Sequence, residues 1–490
     1  MRPPLRIPPL PVSRGEAWTK ASGLLSGLMT PKLRLGVTGL SRSGKTVFIT
    51  ALVRSLVTGG RLPFLVADAE GRIDGATLEP QPDDAVPRFD YEAHLLALGA
   101  DPPRWPESTR RISELRVSLV FRSESRLRRL LGESRLDIDI VDYPGEWLVD
   151  LAMLNKDFAA WSNEALMLAR QTQRAGAAAP FLAFLETLDP TAPEDEQKAL
   201  EGARLFTDYL RTTRKRETVA TLGPGRFLMP GDLEGSPLLT FCPLSDVLGD
   251  GQRRGSLAAM MARRYDSYQA HVVRPFFKDH FSRIDRQIVL VDLLAALNEG
   301  PAALADLERA LAAVLAVFRP GRNAWHAPIT GKRVDKLLFA ATKADHLPRS
   351  SYDRLEAILR LLTDRAIERA ETAGACVGVM AISALRATRE AEVRLGNELM
   401  ACIAGIPLKG ERIGDKVFDG SEEAAVFPGD LPADPRRVLD ISESAEKSAT
   451  AFIRFRPPRV LPPGADGESA PAPHIRLDRA LEFLFGDWLL

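Results

Sequence analysis

The sequence predicts an α/β fold in which a mostly parallel sheet carries helices on both faces. Three observations lead there. The apolar run LRLGVTG, from Leu33, passes through a Gly-rich turn into TVFITALVRSLV, whose apolar residues recur at helical spacing. The strand-like segments QIVLVD (287–292), KLLFAATKAD and CVGVMAISAL then alternate with helical segments at 302–317 and 351–372. Continuous apolar strands separated by helices are the pattern of a parallel sheet buried on both sides.

The remaining elements follow in chain order. Pro3, Pro4, Pro8, Pro9 and Pro11 mark a Pro-rich tail without the apolar stretch of a secretory signal. Trp18, Ala21, Leu25 and Leu28 then predict a short helix, and residues 1–32 form a unit outside the core. That helix packs on the core in the simplest reading. Lys20, Lys32 and Arg34 nearby keep peripheral membrane contact open. The first part of the core covers 33–149. Within it, the alternation of Leu115, Val117, Leu119 and Phe121 and the segment LDIDIVD, ending at Asp142, predict a hairpin. Residues 150–280 have helical periodicity with breaks near 189–196 and 222–236, which predicts a helical insertion. The core resumes over 281–405. A Pro- and Gly-rich stretch, 406–490, predicts a small β-containing appendage closed by a helix at 477–490.

Composition narrows the function classes. At 490 residues, with 45% apolar and 27% charged residues, the chain has the means for two or three folded domains. Lys and Arg total 65 against 65 Asp and Glu, so no overall positive field draws nucleic acid or anionic lipid. Cys242, Cys376 and Cys402 are widely spaced and lack C-x-x-C spacing, which fits a reducing cytoplasm. The most apolar segment, 302–318, is interrupted by Asp306, Glu308 and Arg309 and falls short of a bilayer core of roughly 30 Å.

The segment GLSRSGKT, Gly39 to Thr46, matches GxxxxGK[ST] between a strand and a helix. Gly39 and Gly44 let the backbone bend around phosphates, and the N–H groups of Ser41, Arg42 and Ser43 with the helix N-terminus bind the anion. Lys45 bridges the β- and γ-phosphates, and Thr46 offers a hydroxyl to Mg²⁺. A Gly-rich turn with an incidental lysine would leave this hydrophilic run unexplained at the end of a buried strand. Downstream, Asp142, Tyr143, Pro144 and Gly145 form DxxG. At a strand end after a P-loop, Asp142 is expected to reach Mg²⁺ through water, and the Gly145 N–H to contact the γ-phosphate and move on hydrolysis. Elsewhere the same tetrapeptide would be an ordinary turn.

Two strand ends decide the base. Thr342, Lys343, Ala344 and Asp345 spell TKAD, and Ser383, Ala384 and Leu385 spell SAL. In GTP-binding proteins [NT]KxD reads guanine and SA[KL] supports it from the other side of the ring. Both lie where open α/β sheets bind ligands. A solvated Lys–Asp pair in a surface loop is the plainer alternative for TKAD. Between the P-loop and DxxG, Ser108 and Thr109 occupy the interval of a switch threonine, and Thr109 is the candidate to complete the Mg²⁺ shell; a hydroxyl pair after Pro106 is also an ordinary element start. Trp105 reads as a hydrophobic anchor.

The chain resembles the YcjX-like family of bacterial P-loop proteins of the GTPase class. The matching stretches are LRLGVTGLSRSGKTVFITALV, VDYPGEW, GRFLMPGDLEG, RQIVLVDLLAALNEG, LFAATKADH and HIRLDRALEFLFGD, from about residue 33 to the C-terminus. The resemblance implies a P-loop NTPase core of GTPase type with a helical insertion and additional β structure, GTP or GDP as ligand, and a link to stress responses. A protein partner or activator is expected, of unstated identity. In many GTPases a Gln directly after DxxG orients the attacking water, whereas this chain has Glu146 followed by Trp147. A carboxylate beside a γ-phosphate is unfavourable in a dry site, so slow intrinsic turnover is expected, with Glu146 either positioning water or turned toward the insertion. Arg42 is an in-cis candidate for stabilising transition-state charge, with a solvated surface arginine as the default. The competing readings are an ATP-dependent enzyme, which shares the P-loop but has no need of TKAD or SAL, and a nucleotide-stabilised scaffold acting through residues 150–280.

Overall fold

The computed structural model describes residues 30–40, 42–107, 111–124, 133–216, 223–245, 254–279, 283–317, 334–395, 398–439, 452–461 and 471–490. Ser41, Ser108, Thr109 and the N-terminal helix lie outside these residues.

Seven strands form one sheet in the order β2-β3-β4-β1-β5-β6-β7. They are β1 (Lys32–Gly39), β2 (Ile73–Glu79), β3 (Ser113–Phe121), β4 (Ser134–Asp142), β5 (Arg286–Val291), β6 (Lys336–Ala341) and β7 (Cys376–Ala381). The run β4-β1-β5-β6-β7 is parallel throughout, and β3 and β4 form the expected antiparallel hairpin. β2 extends the hairpin at the sheet edge, with a register irregularity between Ile73 and Gly75. Its sequence, IDGATLE, is half exposed and shows little apolar alternation, which is why periodicity did not single it out.

Strand alternation assigns the two faces. Leu33, Leu35, Val37, Ile288, Leu290, Leu338 and Ala340 share a core with α1 (Lys45–Val57), α2 (Tyr91–Gly99) and α10 (Leu477–Phe485). Val289, Val291, Leu337, Phe339 and Ala341 face α7 (Leu293–Glu299), α8 (Pro301–Val317) and α9 (Tyr352–Thr372). The second core continues into a helical region built from α3 (Phe158–Ala169), α4 (Thr172–Glu186), α5 (Glu196–Arg216) and α6 (Leu257–Tyr268). Its interior is aromatic: Trp161 stacks on Tyr265 with ring centroids 5.1 Å apart, and Phe206 packs against Phe181 and Tyr209. Arg174 on α4 is fully buried and ion-paired with Asp306 on α8, which ties this region to the sheet's helical layer.

The C-terminal third differs in grouping from the expected boundary at 405. β9 (Glu398–Gly405) pairs with β8 (Arg389–Leu395) on one side and β12 (Ala424–Val426) on the other in a separate three-stranded sheet, and the two-residue strands β10 (Arg412–Ile413) and β11 (Lys416–Val417) form a small hairpin. α10 instead belongs to the main core. Leu477, Ala480, Leu481, Leu484 and Phe485 are fully buried there, and Arg286 on β5 donates to Leu484 O at 3.2 Å and pairs with Asp487 at 2.8 Å.

Candidate nucleotide-binding site

The strand register brings the motif residues to one edge of the sheet. Gly39 ends β1 opposite Leu290, Val37 pairs with Asp142, and Val291, Ala341 and Ala381 lie side by side. Asp292, Thr342 and Ile382 therefore leave the sheet in one row, with the P-loop turn beside them. Lys45, Thr46, Arg42, Gly44, Gly145, Glu146, Thr342, Lys343, Asp345 and Ser383 to Leu385 line one cleft of about 620 Å³, a size suited to a small-molecule ligand.

Geometry in the P-loop follows from its composition. A Cβ on Gly39 would sit 2.7 Å from Leu290 O and also overlap the Ser43 hydroxyl, so only glycine permits this approach. Gly44 caps α1 at φ 90°, in the left-handed region, and α1 has no acidic residue in its first turn to offset the positive end of its dipole. Arg42 holds φ 64°, uncommon for a non-glycine residue, and its exposed side chain reaches the cleft rim. Lys45 Nζ donates to Gly39 O at 2.9 Å and Leu40 O at 3.4 Å. Burial holds its pKa below the ordinary lysine value, while the charges of Asp142 and Glu146 pull it back up. Ser43 Oγ is buried without a hydrogen-bond partner among the described residues. Thr46 and Asp142 present hard oxygens, a donor set that fits Mg²⁺, which binds through one or two protein oxygens plus phosphates and water.

At the other end, Asp345 Oδ2 accepts from Ala387 N at 2.8 Å, and Thr388 Oγ1 donates to the Asp345 carbonyl. A carboxylate has about four lone-pair sites, so this anchoring leaves acceptor capacity toward the cleft. Lys343, at φ 60°, is ion-paired with Asp292. Ser383 exchanges backbone hydrogen bonds with Ile475, at 3.0 and 2.8 Å, so the SAL turn is braced by the segment leading into α10. His346 is buried against Phe455, and burial lowers its pKa, which favours the neutral ring.

The family model for the YcjX-like family, DUF463, matches residues 33–489. The chain belongs to that family. A relative from Escherichia coli (strain K12), named Ras-like GTPase YcjX, is 40% identical over 467 residues, 93% of this chain and 96% of the relative. A relative of the same name from Shewanella oneidensis is 35% identical over 501 residues, 98% and 99% of the two chains.

In this member of the YcjX-like family, several residues at the site carry no motif signal. The DxxG segment is gripped by the helical region. Glu146 is ion-paired with Arg214 on α5, Gly225 lies against the Glu146 carbonyl, and Arg226 stacks on Trp147 at 3.3 Å from the ring centre. Trp147 Nε1 donates to Met229 O at 3.2 Å. Asp150 accepts from Gly225 N at 2.6 Å and from the Tyr268 hydroxyl at 2.7 Å. GRFLMPGD, noted above only as a matching stretch, supplies most of this clasp. Tyr143, inside DxxG, is fully buried and hydrogen-bonded through its hydroxyl to Thr38, which also receives Gln287 Nε2. A strap at 452–455 also lines the cleft. Asn298 holds it through Phe452, and Trp105 Nε1 donates to Phe455 O at 2.7 Å. Trp105 thus adds a hydrogen bond to its expected packing role.

Proposed function

We propose that the chain is a guanine-nucleotide switch that binds GTP and GDP with Mg²⁺ and hydrolyses GTP slowly. The observation that carries this reading is the shared cleft. A P-loop lysine and threonine stand at one end and the acceptor carboxylate of Asp345 at the other, with SAL alongside. In this reading Gly39, Ser41, Arg42, Ser43 and Gly44 cradle the phosphates with Lys45, and Thr342, Lys343, Asp345, Ser383, Ala384 and Leu385 hold the base. Thr46, Thr109 and Asp142 hold Mg²⁺, which supplies charge neutralisation at the phosphates when bound. Gly145 reports the γ-phosphate and Glu146 faces the attacking water. Both relatives carry GTPase in their names. Slow turnover follows from having a carboxylate at the position after DxxG. The family resemblance points the switch toward stress responses and toward a protein partner that reads its state. Among the described residues no helix is long and apolar enough to cross a membrane, and the sparse cysteines favour the cytoplasm.

Fluorescent-nucleotide titration of Lys45→Ala and Thr46→Asn tests the assignment. Lys45→Ala removes a buried charge from the phosphates and weakens both nucleotides by about a hundredfold or more, because charge-assisted hydrogen bonds are the strong ones. Thr46→Asn weakens GTP more than GDP, because the metal bridges β- and γ-oxygens. Unchanged affinity in Lys45→Ala contradicts the site.

A further inference from the structure

We infer that Arg214, on helix α5 of the inserted region, is a positioning residue for GTP hydrolysis: it neutralises Glu146 so that this carboxylate can stand beside the γ-phosphate and orient water. The inference rests on the nucleotide reading above and adds a residue from outside the sheet edge. Glu146 lines the cleft together with Lys45, Thr46 and Gly145, and its side chain is only 8% exposed. Its charge is felt at the Lys45 ammonium. It therefore sits within electrostatic reach of the phosphate position, where an uncompensated carboxylate would repel a triphosphate.

Among the described residues, Arg214 is ion-paired with that carboxylate and Lys45 feels its charge. Lys45 comes from the P-loop and is committed to phosphate oxygens once nucleotide binds. Arg214 comes from α5, far from the P-loop in sequence, and its guanidinium bonds Glu146 through one carboxylate oxygen, Oε1. The second oxygen retains acceptor capacity for a water proton. The main chain at this point is fixed from the same side, since Gly225 abuts the Glu146 carbonyl and Arg226 covers Trp147. The inserted region thus sets both the place and the charge of the group after DxxG.

In the step itself the water oxygen bonds to the γ-phosphorus while the bond to the β–γ bridging oxygen breaks. GDP leaves with that electron pair, and the water proton passes to the phosphate product and then to solvent. Glu146 accepts a hydrogen bond from the water and ends the step ionised, still paired with Arg214.

The test uses the full chain and its Arg214→Ala, Arg214→Lys, Glu146→Gln and Arg214→Ala/Glu146→Gln variants. Affinities for GDP and a non-hydrolysable GTP analogue are measured alongside single-turnover GTP hydrolysis. Arg214→Ala is expected to weaken the GTP analogue about tenfold more than GDP, because only the triphosphate meets the unbalanced carboxylate, and to slow hydrolysis by about tenfold or more. Arg214→Lys retains most of both properties. Adding Glu146→Gln to Arg214→Ala restores the GTP-to-GDP affinity ratio to within about twofold of wild type, because the repulsive charge is gone. Equal loss of GDP and GTP affinity in Arg214→Ala overturns the inference in favour of a purely structural pair. A double variant as poor in GTP affinity as Arg214→Ala overturns it too, since Arg214 would then act on the nucleotide without Glu146. Wild-type protein that binds no guanine nucleotide would refute the nucleotide reading itself; wild type that hydrolyses GTP while Arg214→Ala keeps its rate and affinity ratio refutes only the role of Arg214.

Discussion

Gly225 packs directly on the main chain of Glu146: a Cβ at 225 would overlap the Glu146 carbonyl and lie 3.1 Å from Trp147 N. The group it would strike is backbone, which cannot swing aside as a side-chain tip can. Gly225→Ala is therefore expected to cost about 1–3 kcal/mol of stability, the range for overpacking a tight contact. Chemical denaturation measures it. The same change displaces the segment after DxxG, so GTP affinity should fall more than GDP affinity. Wild-type stability in Gly225→Ala would show that the contact is loose.

Arg174 is fully buried, and its ion pair with Asp306 joins α4 to α8. Removing one member of such a pair leaves the other charge desolvated. Asp306→Ala is expected to destabilise the chain by about 3–5 kcal/mol in denaturant titration. Replacing both residues by apolar ones of similar volume should cost less than Asp306→Ala alone. Additive losses would mean that the pair does not act as a unit.

Asp150 lies in the clasp, and burial pushes its carboxyl up to about 6 in spite of hydrogen bonds from Tyr268 and Gly225 that favour the anion. A folded-state pKa above the unfolded value means that the native state binds more protons between about pH 4 and 6. Stability contributed by this group is present below that window and declines as pH rises through it, by on the order of 1 kcal/mol per pH unit. Asp150→Asn cannot ionise. Wild-type stability should fall relative to Asp150→Asn between pH 4 and 6 and run parallel above pH 7; a constant difference across the range contradicts the shifted carboxyl.

The core strands and the motifs were readable because each depends on local patterning. Apolar runs predict β1, β5, β6 and β7, and parallel register then carries their ends, with Lys45, Thr342 and Ser383 just beyond, to one edge. The clasp was not readable. Arg214 meets Glu146 across 68 residues of chain and Gly225 meets Asp150 across 75, and nothing local in GRFLMPGD announces its partner. The apolar periodicity of 477–490 predicts α10 as a helix, yet its seat against β5 comes from contacts some 200 residues away in sequence. The Lys343–Asp292 pair, by contrast, joins the ends of adjacent strands, so a register argument from Val291 and Ala341 would have found it.

The choice of base tests the account most directly. Ala387 N holds the Asp345 carboxylate at 2.8 Å, and in the proposed reading that carboxylate accepts from N1–H and the exocyclic amine of guanine. Adenine offers neither donor, and a site built to hydrogen-bond a group rejects the analogue lacking it by roughly 10⁴ to 10⁵. Asp345→Asn replaces one acceptor by a donor, which suits xanthine, whose C2 position carries an acceptor. Competition titration of GTP, ATP and XTP against wild type and Asp345→Asn should show wild type preferring GTP over ATP by about 10⁴ or more and the variant shifting from GTP toward XTP. Comparable wild-type affinity for ATP and GTP, or a variant with unaltered guanine preference, would contradict the assignment and favour an ATP-dependent protein.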